Sequence, residues 1–271
     1  MKLKTFVTAS ALMATMVSPT LMAASNSSDT NSTTMNSSFT DAQKKDIQKI
    51  VHDYLVSNPD VLIEVSQALQ QKQQQNMQQE AQQAISQNTQ QLFNDPLTVV
   101  GNPKGDVTLV EFFDYQCIHC KKMSPVIDEL IKKNSNLRVI YKEFPIFGKS
   151  SDNASRAALA AAMQGKYLQM HEALFKQDQR LNDQLIDSAA KSIGLDMNKF
   201  KTDMNSKTVT DALDANRQLA DKLRLMGTPA FVIGSTPSGQ FKQGTQPTFI
   251  PGAASPETLQ DLISKAGSNN S

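Results

Sequence analysis

The spacing of apolar positions along the chain changes at Asp95-Pro96. Before that point it is helical. Ile47, Ile50, Val51, Tyr54 and Leu55 fall at i, i+3, i+4, i+7 and i+8, one apolar face of a helix. Thr40 and Gln43 have the residue types and spacing of a capping box at its start. Asn58-Pro59 interrupts the pattern and reopens it, Asn as N-cap and Pro at the first helical position of a second helix expected over about 60–93. The first half of that helix carries Val61, Leu62, Val65 and Leu69. Thirteen glutamines lie between Gln67 and Gln91, which leaves Met77, Ala81, Ala84, Ile85 and Leu92 as a thin apolar seam. A helix this polar gains little by packing on its own domain, and two helices alone bury too little to be stable. The face from Ile47 to Leu69 is therefore read as an arm that meets a second copy. The alternative is a frayed, solvated helix.

Beyond Asp95-Pro96 come short apolar runs expected as strands at Leu97–Val100, Val107–Phe113 and Leu137–Phe144, with a helix over Ile118–Lys133 between the last two. Pro125 falls early in that helix, where it would kink it. Residues 153–225 are helical throughout, in segments Ala154–Met163, Tyr167–Phe175, Leu185–Ile193, Met197–Met204 and Val209–Leu225. Then follow a strand at Ala230–Ile233, a Gly/Ser/Pro-rich loop to Gly244, a short strand at Thr248–Ile250 and a closing helix at Glu257–Lys265. The fold class is α/β: strands flank a block of helices inserted over about 151–225.

The two ends read differently. Met1-Lys2-Leu3-Lys4, an apolar stretch from about Phe6 to Val17 and small residues ending at Ala23-Ala24 form a secretory signal peptide over 1–24, cleaved near Ala23/Ala24. Its apolar stretch is too short to span a bilayer, and no cysteine sits near the cleavage point to carry a lipid. Residues 25–39 are almost all Ser, Thr and Asn, a flexible linker. Residues 266–271 are expected as a disordered tail. A formal net charge of +1 over 271 residues gives no reason to expect nucleic acid.

The chemistry lies in the only two cysteines, Cys117 and Cys120, which follow a strand and open a helix. Strand, Cys-x-x-Cys, helix is the layout of a dithiol redox centre. The helix start aims its unpaired N–H groups and positive dipole end at Cys117, and the i, i+3 spacing puts Cys120 on the same face one turn in. Cys117 is thus the expected nucleophile and Cys120 the resolving thiol, with His119 as a donor to the Cys117 thiolate. Zinc needs four ligands; His52, His119 and His171 form no ligand-spaced pair, so no metal is expected. A disulfide enclosing two residues removes little loop entropy, which disfavours a purely structural bridge. A copper-handling dithiol is a weaker reading, because the twelve methionines are scattered. Glu111 stands inside the run Leu109-Val110-Glu111-Phe112-Phe113, where an acid is costly unless it is used; the bland alternative is an edge-exposed glutamate.

This arrangement resembles the DsbA-like thiol:disulfide oxidoreductases. The resemblance covers about Asp95 to Lys265. Val110-Glu111-Phe112-Phe113-Asp114-Tyr115-Gln116 leads into Cys117-Ile118-His119-Cys120; Gly227-Thr228-Pro229-Ala230-Phe231 follows the helical insert, and Pro251-Gly252-Ala253 precedes the last helix. It implies a thioredoxin fold with an inserted helical domain over 95–265. The N-terminal extension is similar to that of the dimeric members, which implies a helical dimerisation arm over 40–94. It also implies that Glu111 is the buried acid that takes the proton of Cys120. It implies that Pro229 is cis and faces the dithiol, where the sequence alone favours a trans loop proline, and that a client peptide pairs with the backbone of Thr228. The function implied is periplasmic protein-disulfide exchange without a cofactor. Its partners would be exported client proteins with cysteines, and a DsbB-like membrane thiol oxidase or DsbD-like reductase for recycling. The best-known oxidases carry Pro where this chain has Ile118, and Val where it has Thr228. The second departure is shared with the dimeric isomerases, so isomerisation is expected beside oxidation. The competing class is a periplasmic peptide-binding chaperone in which the dithiol is secondary.

Overall fold

The computed structural model describes residues 39–268, in two compact units divided between Val61 and Leu62. The expected signal peptide, and the expected linker except for Phe39, lie outside the described residues, as does the tail beyond Ser268.

In the first unit, helix α1 (Asp41–Ser57) opens with the expected capping box. The Thr40 hydroxyl accepts from the Gln43 N–H at 3.3 Å, and the Thr40 N–H donates to Gln43 Oε1 at 2.8 Å. Asn58 serves both helices: its backbone N–H and its side-chain amide donate to the Tyr54 carbonyl, and its carbonyl accepts from the Val61 N–H at 3.2 Å. No residue of α1 is buried, and Ile47, Ile50, Val51 and Tyr54 stand exposed on one side.

Helix α2 (Asp60–Gln87) begins at the end of this unit and runs through the start of the second. It stops at Asn88, whose amide bonds back to the Ala84 carbonyl at 2.7 Å, and a short α3 (Thr89–Phe93) follows. The single helix expected to residue 93 is thus split. The glutamine-rich stretch does not fray at its end, because Ala81, Ile85, Leu92 and Phe93 are all buried. The thin seam is enough to seat them on the sheet, so the expected arm over 40–94 ends inside the core of the second unit.

The second unit continues with β1 (Val99–Gly101), β2 (Val107–Phe113), α4 (Ile118–Lys133) and β3 (Leu137–Glu143). Then come α5 (Lys149–Ala162), α6 (Tyr167–Phe175), α7 (Asp183–Ser192), α8 (Met197–Met204) and α9 (Lys207–Lys222). It closes with β4 (Ala230–Ser235), β5 (Thr248–Pro251) and α10 (Pro256–Ser268). The strands form one sheet in the order β1-β3-β2-β4-β5, parallel only between β2 and β3, where α4 supplies the crossover. The helical block lies between β3 and β4, as expected. In α5 the buried alanines leave room for α6 to α9 to close on it.

β2 is central, and every residue in it is buried. Its alternate residues serve two cores. Leu109 and Phe113 meet Ile127 and Leu130 of α4, Met170 and Leu174 of α6, and Leu259 and Ile263 of α10. Val110 and Phe112 meet Ile85, Leu92 and Phe93 on the opposite face, with Leu219 and Leu223 of α9. Gly234 in β4 makes room for this second core: a Cβ there would stand 2.6 Å from the Phe93 ring. α10 runs three residues past Lys265, with Ala266 packed on the first core, so the expected tail begins in helix. Among the described residues no helix is long and apolar enough to cross a membrane.

Candidate active site

β2 ends at Phe113 and delivers the chain into a tight turn. The Cys117 N–H donates to the Asp114 carbonyl at 3.0 Å, and the Gln116 N–H donates to Asp114 Oδ1 at 2.7 Å. Cys117 is the N-cap of α4, and Cys120 sits one turn inside. Both thiols are free. Both residues are buried, Cys120 more completely: 1% of its surface is exposed, against 5% for Cys117. Across from them the Thr228–Pro229 bond is cis, and the Cys117 thiol donates to the Thr228 carbonyl at 3.3 Å. β4 carries that segment to the dithiol, because it pairs with β2 from Ala230 opposite Phe112.

The two sulfurs are pushed in opposite directions. Cys117 falls from the usual 9.0 to about 5. The largest cause is the Cys120 thiol, which donates to its sulfur; burial opposes this, and the Thr228 side chain with the backbone N–H groups of Cys120 and His119 adds to it. Four units correspond to about 5 kcal/mol in favour of the thiolate. Cys120 is driven far above its ordinary value, first by burial, then by the Cys117 sulfur beside it and by Glu111. At neutral pH the pair holds one thiolate, on Cys117, and one proton, on Cys120. What His119 supplies is its N–H; its side chain is exposed.

Glu111 lies in the central strand with 2% of its surface exposed, so the edge-exposed reading is wrong. Its Oε1 has no hydrogen-bond partner. Burial raises its pKa well above the ordinary carboxyl value, and the Cys117, Glu143 and Asp128 charges raise it further. The shift favours the protonated form of Glu111, the more so while Cys117 is a thiolate.

A second buried cluster, which the sequence did not disclose, lies on the same sheet face. Glu143 Oε1 accepts from the hydroxyls of Tyr115 (3.1 Å) and Tyr167 (2.8 Å), and Tyr115 Oη is 3.1 Å from His171 Nδ1. Burial pushes Glu143 up to about 8 against those hydrogen bonds and takes His171 down to about 3. The β2–β3 register that sets Glu143 beside Phe113 and Tyr141 beside Glu111 assembles this cluster. The sequence offers Lys142 and Glu143 as charges able to act near the site, without placing them, and Tyr167 and His171 at i, i+4. Lys142 pairs with Asp95 at 2.8 Å. Among the described residues, no three His, Cys, Asp or Glu side chains group to hold a metal ion.

A family model described as the DSBA-like thioredoxin domain matches residues 108–264. A second, described as the copper resistance protein ScsC N-terminal domain, matches residues 43–76. Among solved structures, Salmonella enterica Typhimurium BcfH is 32% identical and superposes with a TM-score of 0.70, covering 83% of this chain and 96% of that one. Proteus mirabilis ScsC in a transitional conformation is 30% identical, with a TM-score of 0.60, over 86% of this chain and 99% of that one. The thiol:disulfide interchange protein DsbA of Burkholderia cepacia is 28% identical over 57% of this chain and 74% of its own length. The chain spans about a fifth of the length of the first curated relatives it matches, which are Na(+)/H(+) antiporters.

Proposed function

The chain belongs to the DSBA-like thioredoxin domain family, and we propose that it exchanges disulfides in exported proteins through Cys117 and Cys120. The observation that carries this is the opposed pair of sulfurs: a thiolate on Cys117 at the mouth of α4 and a protonated, more deeply buried Cys120 behind it. In oxidation, a client thiolate attacks Sγ of Cys117 in the Cys117–Cys120 disulfide. That bond breaks, and Cys120 leaves and is protonated by Glu111. A second client thiolate attacks the client sulfur of the mixed disulfide and releases Cys117 as its stabilised thiolate. Two electrons pass from client to enzyme. In isomerisation, the Cys117 thiolate attacks a wrong client disulfide and is released when a new pairing forms.

Glu111 suits both directions. Its proton is held partly by the Cys117 charge. Once Cys117 is tied up in a mixed disulfide that charge is gone, the carboxyl ionises more readily, and it accepts the Cys120 proton as Cys120 attacks. The client pairs with the backbone at Thr228, beside Cys117. Residues 1–24 direct export to the periplasm, where a DsbB-like oxidase or DsbD-like reductase resets the dithiol. The exposed apolar positions Ile47, Ile50, Val51, Tyr54, Leu62, Val65 and Leu69 join two copies.

Cys120→Ser should trap clients as mixed disulfides through Cys117, and Cys117→Ser should not. Equal trapping by both variants would remove the assigned roles. A chaperone in which the dithiol is secondary would keep its holding activity in Cys117→Ser. One observation favours a second reading, the match of residues 43–76 to a copper resistance protein's N-terminal domain. Thiolates are soft ligands suited to Cu(I). Titrating the reduced protein with Cu(I) tests it: copper bound by wild type and lost in Cys117→Ser would support that reading.

A further inference from the structure

Asp114 is completely buried, three residues before Cys117, and both of its carboxylate oxygens are fully engaged. Oδ1 accepts from the Gln116 N–H at 2.7 Å and from the Ser151 hydroxyl at 2.7 Å. Oδ2 accepts from the Ile146 N–H at 2.7 Å and from the Phe147 N–H at 3.0 Å. A buried carboxylate is costly unless compensated, and here four donors do it, three of them backbone. Those donors come from three places: the turn into α4, the loop after β3, and the first turn of α5. Asp114 also accepts the Cys117 N–H on its own carbonyl, and its backbone acts on the Cys120 sulfur. The side-chain bond to residue i+2 and the backbone bond to i+3 together fix how the chain enters the helix.

We propose that Asp114 is a positioning residue for the dithiol, clamping the Asp114–Cys117 turn so that the first N–H groups of α4 point at the Cys117 sulfur. The proposal rests on the exchange reading above, and it names a residue that acts through the turn without touching the client. Its chemistry makes it separable from plain stability. In Asp114→Asn one oxygen becomes a donor. The arrangement with least loss turns the amide oxygen to the Ile146 and Phe147 N–H groups and lets the amide NH2 donate to the Ser151 hydroxyl, which is able to accept. The Gln116 N–H, next to Cys117, then faces another donor. The damage falls on the redox turn while the loop and α5 keep their bonds.

The test is the pH titration of the Cys117 thiolate by its absorbance, in wild type, Asp114→Asn and Ser151→Ala. Asp114→Asn should raise the midpoint by about one pH unit, a tenfold loss of thiolate below the midpoint, and should slow client trapping in a Cys120→Ser background. Ser151→Ala removes a donor from the same oxygen without touching the turn and should leave the midpoint in place, even where it lowers the melting temperature equally. An unmoved midpoint in Asp114→Asn, or an equal rise in Ser151→Ala, would overturn the proposal. If Asp114→Asn does not fold, amide hydrogen exchange of the wild type decides. Gln116 protected together with Ile146 and Phe147 supports the clamp, and fast exchange at Gln116 with the other two protected refutes it. A Cys120→Ser protein, with Asp114 intact, that traps no client would instead defeat the exchange reading, and the titration would still report on Asp114.

Discussion

Cys117 gives the molecule a pH signature. Its thiol is near 9.0 when unfolded and about 5 when folded, so Cys117 contributes to the folded, reduced protein a stability that grows as pH rises from 5 to 9, while the raised Glu111 and Glu143 carboxyls act the other way in both redox states. By linkage that gain is absent below pH 5, about 3 kcal/mol at pH 7 and about 5 kcal/mol above pH 9. The oxidised protein has no such thiolate. Reduced protein should therefore outlast oxidised protein in urea at pH 7, and the two curves should converge as pH falls to 5. Equal stability at pH 7 would mean that the thiolate is not held as described. His119 makes a sharper case. Its contribution to Cys117 is a backbone N–H, which survives His119→Ala. The thiolate midpoint of that variant should rise by less than about one pH unit. A rise of two or more would put the imidazole in charge.

At the scale of elements, the arm and the sheet meet in a way that changes where the chain can be cut. Ile85, Leu92 and Phe93 are almost wholly buried against the sheet, and the Phe93 carbonyl accepts from Arg138 Nη1 at 2.8 Å. Each such side chain is worth roughly 1.5–3 kcal/mol of burial, so losing all three removes an amount comparable to the whole stability of a domain. Removal of residues up to Met77 should give a folded monomer that oxidises dithiols but has lost most isomerase activity on a scrambled substrate. Removal up to Phe93 should give protein that melts far lower or aggregates. Light scattering should show the mature protein at twice its chain mass and the shorter truncation at once. A mature monomer would end the arm's proposed role, and a stable, fully active truncation at Phe93 would contradict the packing. Val107–Phe113 and Ile118–Lys133 were legible to the residue, because a short, mostly apolar run and then a cysteine-led helix leave little room for another reading. Gly234 and Ser235, which extend β4, carry no apolar signal and are ordered by pairing with Thr108 and Val107. The seam of α2 was visible, but its burial was not, since it depends on a sheet face that only the folded chain presents. The same holds for Glu143, Tyr115 and His171, which come together through strand register and helix packing.

For the whole molecule, the question is which way electrons flow. Thr228, rather than Val, faces the sulfur, and Ile118, rather than Pro, opens α4; both depart from the pure-oxidase pattern, and the first is the one shared with the dimeric isomerases. The thiolate says otherwise. A Cys117 near 5 favours the reduced state, and in the proposed exchange it would make the oxidised form a strong acceptor of electrons from client thiols. Both features are compatible in a protein that oxidises and reshuffles, provided the poise is high enough to accept electrons and a thiolate is present to attack. The direct measurement is the redox equilibrium of Cys117 and Cys120 in the mature protein against a glutathione series, read by thiol alkylation. The geometry of the site predicts a potential well above about −200 mV, on the oxidising side of glutaredoxins. A value near about −270 mV, where thioredoxin sits, would contradict the assignment of Cys117 as a strongly stabilised thiolate and, with it, the proposed direction of exchange.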